Sequence, residues 1–240
     1  MSRRLDAWLA SCGLGSRSET RILIRKGQVQ VNGETTKQLA LQVGPDDLIE
    51  IAGKPVIPPR SIPLTLLLHK PLGYSCSHDV REQPIIDDLL TQWSGHSLNS
   101  VGRLDRDTSG LLVLTDDGQL LHRLIHPKRK VPKRYRMTYR GTLDPRAVEF
   151  VAAGLQLPDE DKPCLPARLE LQQPGAATMI LHEGRYHQVR RMIQALGGEV
   201  ETLHRDAVGS LRLPADLAPG ELREIREDEL ALLQGLDSPD

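Results

Sequence analysis

Gly102-Arg103-Leu104-Asp105-Arg106-Asp107-Thr108-Ser109-Gly110-Leu111-Leu112-Val113-Leu114-Thr115-Asp116-Asp117-Gly118 runs a polar loop, a short apolar stretch and a turn together without a gap. The apolar stretch 110–115 predicts a buried strand, closed by the Asp-Asp-Gly turn. Leu120, Leu121, Leu124 and Ile125 then recur at helical spacing until Pro127 stops them. Upstream, Leu64-Thr65-Leu66-Leu67-Leu68 predicts another buried strand, and Ile86, Leu89, Leu90 and Trp93 mark a helix. Downstream, Tyr135, Met137 and Tyr139 alternate as a strand, Asp144-Pro145 opens a helix, and strands are expected at 167–171 and 178–181. Val189, Met192, Ile193 and Leu196 form one face of a helix that Gly197-Gly198 ends. This irregular order fits an α+β domain with a mixed, mainly antiparallel sheet. The absence of a βαβ rhythm, a GxGxxG and a Walker motif argues against nucleotide-cofactor folds.

The N-terminal stretch reads separately. Leu5, Trp8, Leu9 and Cys12 share a helix face. Ser16-Arg17-Ser18-Glu19 is a capping-box pattern for a second helix to about Lys26, with Gly27 beyond its end. Gln28-Val29-Gln30-Val31 alternates as a strand, Asn32-Gly33 signals a hairpin, and a further strand is expected at 48–52. Residues 1–53 are therefore expected to form a small helix-helix-hairpin domain. Four prolines stiffen 54–63 as a linker, a second domain covers 64–235, and 236–240 is a tail.

With 39% hydrophobic and 26% charged residues, the 240-residue chain has enough apolar content for a core. No apolar run reaches membrane-helix length, and the N-terminus lacks a secretory pattern. The three scattered cysteines argue against a disulfide framework or a cysteine metal site, and a cytoplasmic setting is expected. Net charge is −1, but its distribution is uneven. Residues 119–140 carry eight cations and no acid, residues 1–27 balance to +4, and residues 214–240 to −6. Two basic blocks point to a polyanionic partner; taken singly, each also reads as solvated surface charge.

Chemistry concentrates in three places. In the 102–111 loop, Asp105 and Asp107 stand among Arg103 and Arg106; a neighbouring guanidinium favours an ionised carboxylate, suited to act as nucleophile or base. The same stretch also reads as a turn whose side chains bond their own backbone. Glu183-Gly184-Arg185-Tyr186-His187-Gln188-Val189-Arg190-Arg191-Met192 is a turn entering an amphipathic helix, with Arg190 at the edge of its apolar face. Lys133-Arg134-Tyr135 puts a ring after a basic run, which suits base stacking as well as core packing. His122 and His126 lack the companions of a metal site, so no metal is expected.

Gly102-Arg103-Leu104-Asp105 with Thr108-Ser109-Gly110-Leu111 resembles the signature of the ribosomal pseudouridine synthases of the RsuA/RluA superfamily. Lys70-Pro71-x-Gly73-Tyr74, Lys133-x-Tyr135, 184–192, Leu203-His204-Arg205 and Leu217-Ala218-Pro219-Gly220-Glu221 resemble its other segments, in order. Residues 1–53 look like the RNA-binding module of ribosomal protein S-four that precedes the RsuA branch. Arg190 stands where some members of that branch have Lys. The resemblance implies a cofactor-free isomerase acting on ribosomal RNA, as a monomer without membrane association. Its implied target is uridine 516 of 16S rRNA, free or in a small-subunit assembly intermediate, with 23S-modifying synthases or a non-catalytic rRNA-binding protein as alternatives. A metal phosphoesterase using Asp105, Asp107, Asp116 and Asp117 is a further reading of the residues alone. The resemblance implies that Asp105 is the essential aspartate, that Arg190 pairs with it, that Tyr135 packs on the uracil and that Val189 lines the pocket. Arg103, Lys133, Arg185 and His187 are expected to contact RNA there, and Arg17, Arg21, Arg25 and Lys26 from the first domain.

Overall fold

The N-terminal signals become two short helices and a small sheet. In the computed structural model, which describes residues 2–44, 46–56, 63–77, 79–93 and 96–235, β1 is Arg3–Arg4, α1 Leu5–Ser11 and α2 Arg17–Arg25. The capping box of α2 is complete: the Ser16 N–H donates to the Glu19 carboxylate at 2.7 Å, and the Glu19 N–H donates to Ser16 Oγ at 3.4 Å. β2 (Val29–Val31) and β3 (Glu34–Thr36) are joined by Asn32-Gly33, with φ of 53° and 83° as a tight hairpin turn requires. β4 (Gln42–Val43) pairs with β1, while β5 (Ile49–Ile51) and β6 (Lys54–Pro55) complete a sheet in the order β3-β2-β5-β6. Leu5, Trp8, Leu9, Ile24, Val29, Val43 and Ile49 fill the core.

The small sheet continues through Lys54–Pro55, because the positive φ of Ala52 and Gly53 folds the chain back along β5. Pro55 is tolerated there because β6 is an edge strand. Residues 57–62, most of the expected linker, and 236–240 lie outside the described residues. The chain also divides into two units that are not contiguous in sequence: residues 1–64 with Leu90–Leu98, and Thr65–Leu89 with Asn99–Asp240.

The second unit is built on β7 (Thr65–Lys70), β8 (Asn99–Ser100), β9 (Ser109–Thr115), β10 (Lys133–Gly141), β11 (Arg168–Leu171), β12 (Ala176–Leu181), β13 (Gly198–Val208), β14 (Leu211–Arg212) and β15 (Leu222–Glu224). Its helices are α3 (Gly118–Ile125), α4 (Ala147–Ala153), α5 (Gln188–Ala195) and α6 (Glu227–Gly235). The sheet order is β11-β12-β10-β13-β9-β7-β15, with β14 on β13 and β8 on β9. Among the described strands only β9 and β13 pair in parallel. Leu111 and Val113 of β9 pack with Leu120 and Leu124 of α3 and with Val208.

The helix expected across Ile86–Trp93 is instead two 3₁₀ turns, Ile86–Leu89 and Thr91–Trp93. The Ile86 N–H donates to the Ser75 carbonyl and the Ile85 N–H to the Asp88 carboxylate, so these donors bond outside any i−4 ladder. α4 starts later than expected because the Asp144 carboxylate accepts from the Arg146 N–H in a local turn, leaving Arg146 as the cap. β13, the longest strand described, and the closing β15 and α6 add to the elements expected from the sequence. No described helix is long and apolar enough to cross a membrane.

Candidate active site

The parallel junction of β9 and β13 fixes where the polar loop lies. His204 is opposite Ser109 and Arg205 opposite Gly110. At Gly110 φ is 120°, and an added Cβ would lie 2.1 Å from the Arg205 carbonyl oxygen. Only glycine allows strands so close in that conformation. The loop at residues 102–108 therefore enters β9 directly beside β13.

The loop is held on several sides. Lys70, fully buried at the end of β7, donates from Nζ to the carbonyls of Asp105 at 3.1 Å, Thr108 at 2.8 Å and Pro71 at 3.1 Å. Burial pushes the Lys70 ammonium below its ordinary pKa. The Gly73 N–H donates to the Arg106 carbonyl, the Leu104 N–H to Cys76 Sγ, and the Arg106 guanidinium to the carbonyls of Glu82 and Gln83. A backbone fixed at this many points leaves little freedom for the Asp105 side chain.

That side chain borders a cavity of about 320 Å³. Asp105, Arg103, Lys133, Tyr135, Val189, Arg185 and His187, expected as site residues, all line it. Tyr135 and Val189 are buried, from β10 and the first turn of α5. Asp105 is 34% exposed, with His187 Nε2 3.5 Å from its Oδ1. Lys133 is held at pKa about 8, first by burial and then by the nearby Arg205 cation. Arg205 is 1% exposed; its Nε donates to the Leu111 carbonyl at 3.0 Å.

Some of the expected contacts differ. Arg190 does not pair with Asp105. Its guanidinium reaches Asp107, 2.9 Å from the carboxylate and 3.0 Å from the carbonyl, and donates to the Val200 carbonyl of β13 at 3.2 Å. The anchor on Val200 aims Arg190 at the second aspartate of the loop rather than the first. Arg185 lines the cavity but is consumed as a clamp, bonded to Glu183, Glu160 and the carbonyls of Lys162 and Pro163. In the first unit, Arg17 and Arg21 converge with Arg4 on the buried Asp6, whose carboxyl the Arg4 and Arg21 hydrogen bonds hold far below the usual range. Arg25 and Lys26 are exposed at the end of α2, with no ion pair among the described residues.

Sequence reasoning underrated Lys70, Arg205 and Tyr186. Lys70 carried a signal, a cation ending an apolar strand before Pro71. Arg205 carried one only through the resemblance of Leu203-His204-Arg205 to a family segment, because nothing local tells a buried arginine from an exposed one. Among the described residues no group of three His, Cys, Asp or Glu is placed to hold a metal ion.

The RNA pseudouridylate synthase family profile matches residues 65–195, and the S4 domain profile residues 3–49. The chain is 38% identical to the ribosomal small subunit pseudouridine synthase A of Escherichia coli K12, over 95% of this chain and 98% of that one. It is 37% identical to the protein of that name from Vibrio parahaemolyticus, over 95% and 97%, and 36% identical to the RNA pseudouridine synthase YtzG of Bacillus subtilis, over 96% and 98%. A crystal structure of a pseudouridylate synthase superposes with a TM-score of 0.68 at 35% identity, covering 96% of this chain and 99% of the other. With an S4 domain profile at its N-terminal end and the synthase profile over most of the remainder, the chain belongs to the RNA pseudouridylate synthase family.

Proposed function

We propose that this protein converts one uridine of the small-subunit ribosomal RNA, uridine 516 of 16S rRNA, to pseudouridine, with Asp105 as the catalytic residue. The observation that carries the reading is the Asp105 carboxylate on the wall of a cavity where it is the only acidic residue among those described, beside Arg103, Lys133, Arg205, Tyr135 and apolar side chains. The names of the relatives support the choice of small-subunit RNA.

The reaction is an isomerisation. The bond from C1′ to N1 breaks, the uracil turns, C5 bonds to C1′, C5 releases its proton and N1 gains one. Nothing is oxidised and no group departs, so the chemistry calls for no cofactor. The target nucleotide must first leave its stack, at a cost of a few kcal/mol. The cavity must then keep water from the separated base and sugar. Val189 and Leu203 supply apolar wall, Tyr135 packs against the uracil, and Asp105 acts at the sugar or the base. Arg190 serves by holding Asp107, and so the loop, rather than by touching the reacting atoms. Arg103 and Lys133 contact phosphate, and the S4 domain supplies further RNA affinity. The ion pair of Asp107 with Arg190, and Asp117 serving as the cap of α3, leave those two aspartates engaged in structure rather than in phosphoester hydrolysis.

Asp105→Asn separates catalysis from binding. The variant is expected to bind 16S rRNA with unchanged affinity and to form no pseudouridine in chemical mapping of the RNA. Normal modification by that variant would end the assignment, and modification confined to 23S rRNA by the unmodified protein would reassign the substrate.

A further inference from the structure

Two large apolar side chains stand exposed while lining the cavity: Tyr186, 72% accessible, before α5, and Ile125, 50% accessible, at the end of α3. The Tyr186 ring lies flat on the His187 imidazole, with centroids 3.9 Å apart and planes 15° apart. His187 is held in the left-handed region, at φ 48° and ψ 34°, an unfavourable conformation for a residue with a Cβ. Its Nε2 faces the Asp105 carboxylate at 3.5 Å. A ladder of two rings thus begins at the catalytic acid and ends in an aromatic face that no core residue covers.

We infer that the outer face of Tyr186 is a stacking platform for the nucleobase adjacent to the uridine in the cavity, and that His187 is a positioning residue between that platform and Asp105. The inference rests on the proposed uridine-isomerase reading. A cavity of about 320 Å³ accommodates one nucleotide, so the strand on either side passes over the rim. Arg103, Lys133 and Arg205 outnumber Asp105 along the lining, which suits a phosphodiester strand rather than an acidic or apolar peptide. Everting one nucleotide removes a stacking partner from its neighbour, and an exposed ring beside the opening replaces it. Every base has a π-face, so the platform sets the register of the strand without reading its sequence. Ile125 adds the second exposed apolar surface of the same opening.

The test uses the full-length protein and synthetic 16S rRNA fragments spanning the target, intact or with an abasic residue on the 5′ or the 3′ side of the uridine. Tyr186→Ala is expected to lose about 5- to 150-fold in kcat/KM on intact RNA, mainly through KM, while Tyr186→Phe keeps the unmodified rate. One of the two abasic fragments is expected to cost the unmodified protein a similar factor and to cost Tyr186→Ala nothing more. Unimpaired turnover by Tyr186→Ala, or losses that multiply with both abasic fragments, would overturn the platform while leaving the isomerase reading intact. Failure of the unmodified protein to convert any uridine would remove that reading and the platform with it.

Discussion

At the scale of single residues, the cavity is a place where cations are buried with too few anions. Lys70 and Arg205 lie almost wholly out of water, and Lys133 is held at pKa about 8 by burial and by Arg205. The sign of the consequence is fixed. The folded pKa of Lys133 lies below its ordinary value of 10.5, so between the two the unfolded chain holds the extra proton. Lys133 therefore makes stability rise with pH across that window, while its usefulness as a phosphate contact falls. Affinity for an rRNA fragment at constant ionic strength is expected to weaken between about pH 7 and about pH 9, by up to about tenfold from this group. Lys133→Arg, which stays charged, is expected to flatten that profile. Equal profiles for the two proteins would show that Lys133 does not titrate there. The importance of the 102–111 loop was legible in the sequence because charge, hydroxyls and two glycines are packed into ten positions. Which aspartate Arg190 meets was not: Asp105 and Asp107 lie two residues apart, and the choice is made by the Val200 carbonyl, remote in sequence.

At the scale of elements, the site depends on one parallel strand pair in a sheet whose other described pairings are antiparallel. The strongest local signals were realised: the capping box of α2, the Asn32-Gly33 turn and the apolar run of β9. β13 escaped because Glu199, Glu201, His204, Arg205 and Asp206 break its apolar alternation; several of these find partners across the sheet, Asp206 with Arg134 and Arg136, Glu199 with Arg140 and His204 with Ser109. The closeness of β9 and β13 yields a prediction at this scale. Gly110→Ala would drive a Cβ into the Arg205 backbone, with its oxygen at 2.1 Å and its nitrogen at 2.6 Å. We expect a loss of more than about 3 kcal/mol in urea unfolding. Gly73→Ala, at φ 88° but with open space around it, is expected to cost only about 1 kcal/mol. Similar losses for both would mean that backbone strain, not strand contact, makes glycine necessary at 110.

At the scale of the whole molecule, a net charge of −1 conceals how many cations remain free for RNA. In the basic block of residues 119–140, Arg134 and Arg136 are paired with Asp206 and Arg140 with Glu199. Arg123, Lys128 and Arg129 instead surround, with His122 and His126, a shallow cavity of about 530 Å³ on α3. Part of the acidic C-terminal segment is likewise spent internally, Glu229 on Arg223 and Asp216 on Arg226. In the S4 domain the same sorting separates cations that build the fold from cations that face outward. Arg17 and Arg21 hold Asp6, so reversing their charge would break that cluster and confound any binding measurement. Arg25 and Lys26 have no such duty among the described residues and sit together at the end of α2. The double variant Arg25→Glu, Lys26→Glu is therefore expected to fold normally and to keep kcat on saturating RNA. Its dissociation constant should rise by a similar factor for every RNA tested, because phosphate contacts carry no sequence information. Each lost contact removes about 0.7 to 0.9 from the slope of log affinity against log salt, so the slope should shallow by about 1.5. An unchanged slope would place the RNA-binding face of the S4 domain elsewhere, and a fall in kcat would mean that this helix end positions the substrate as well as holding it.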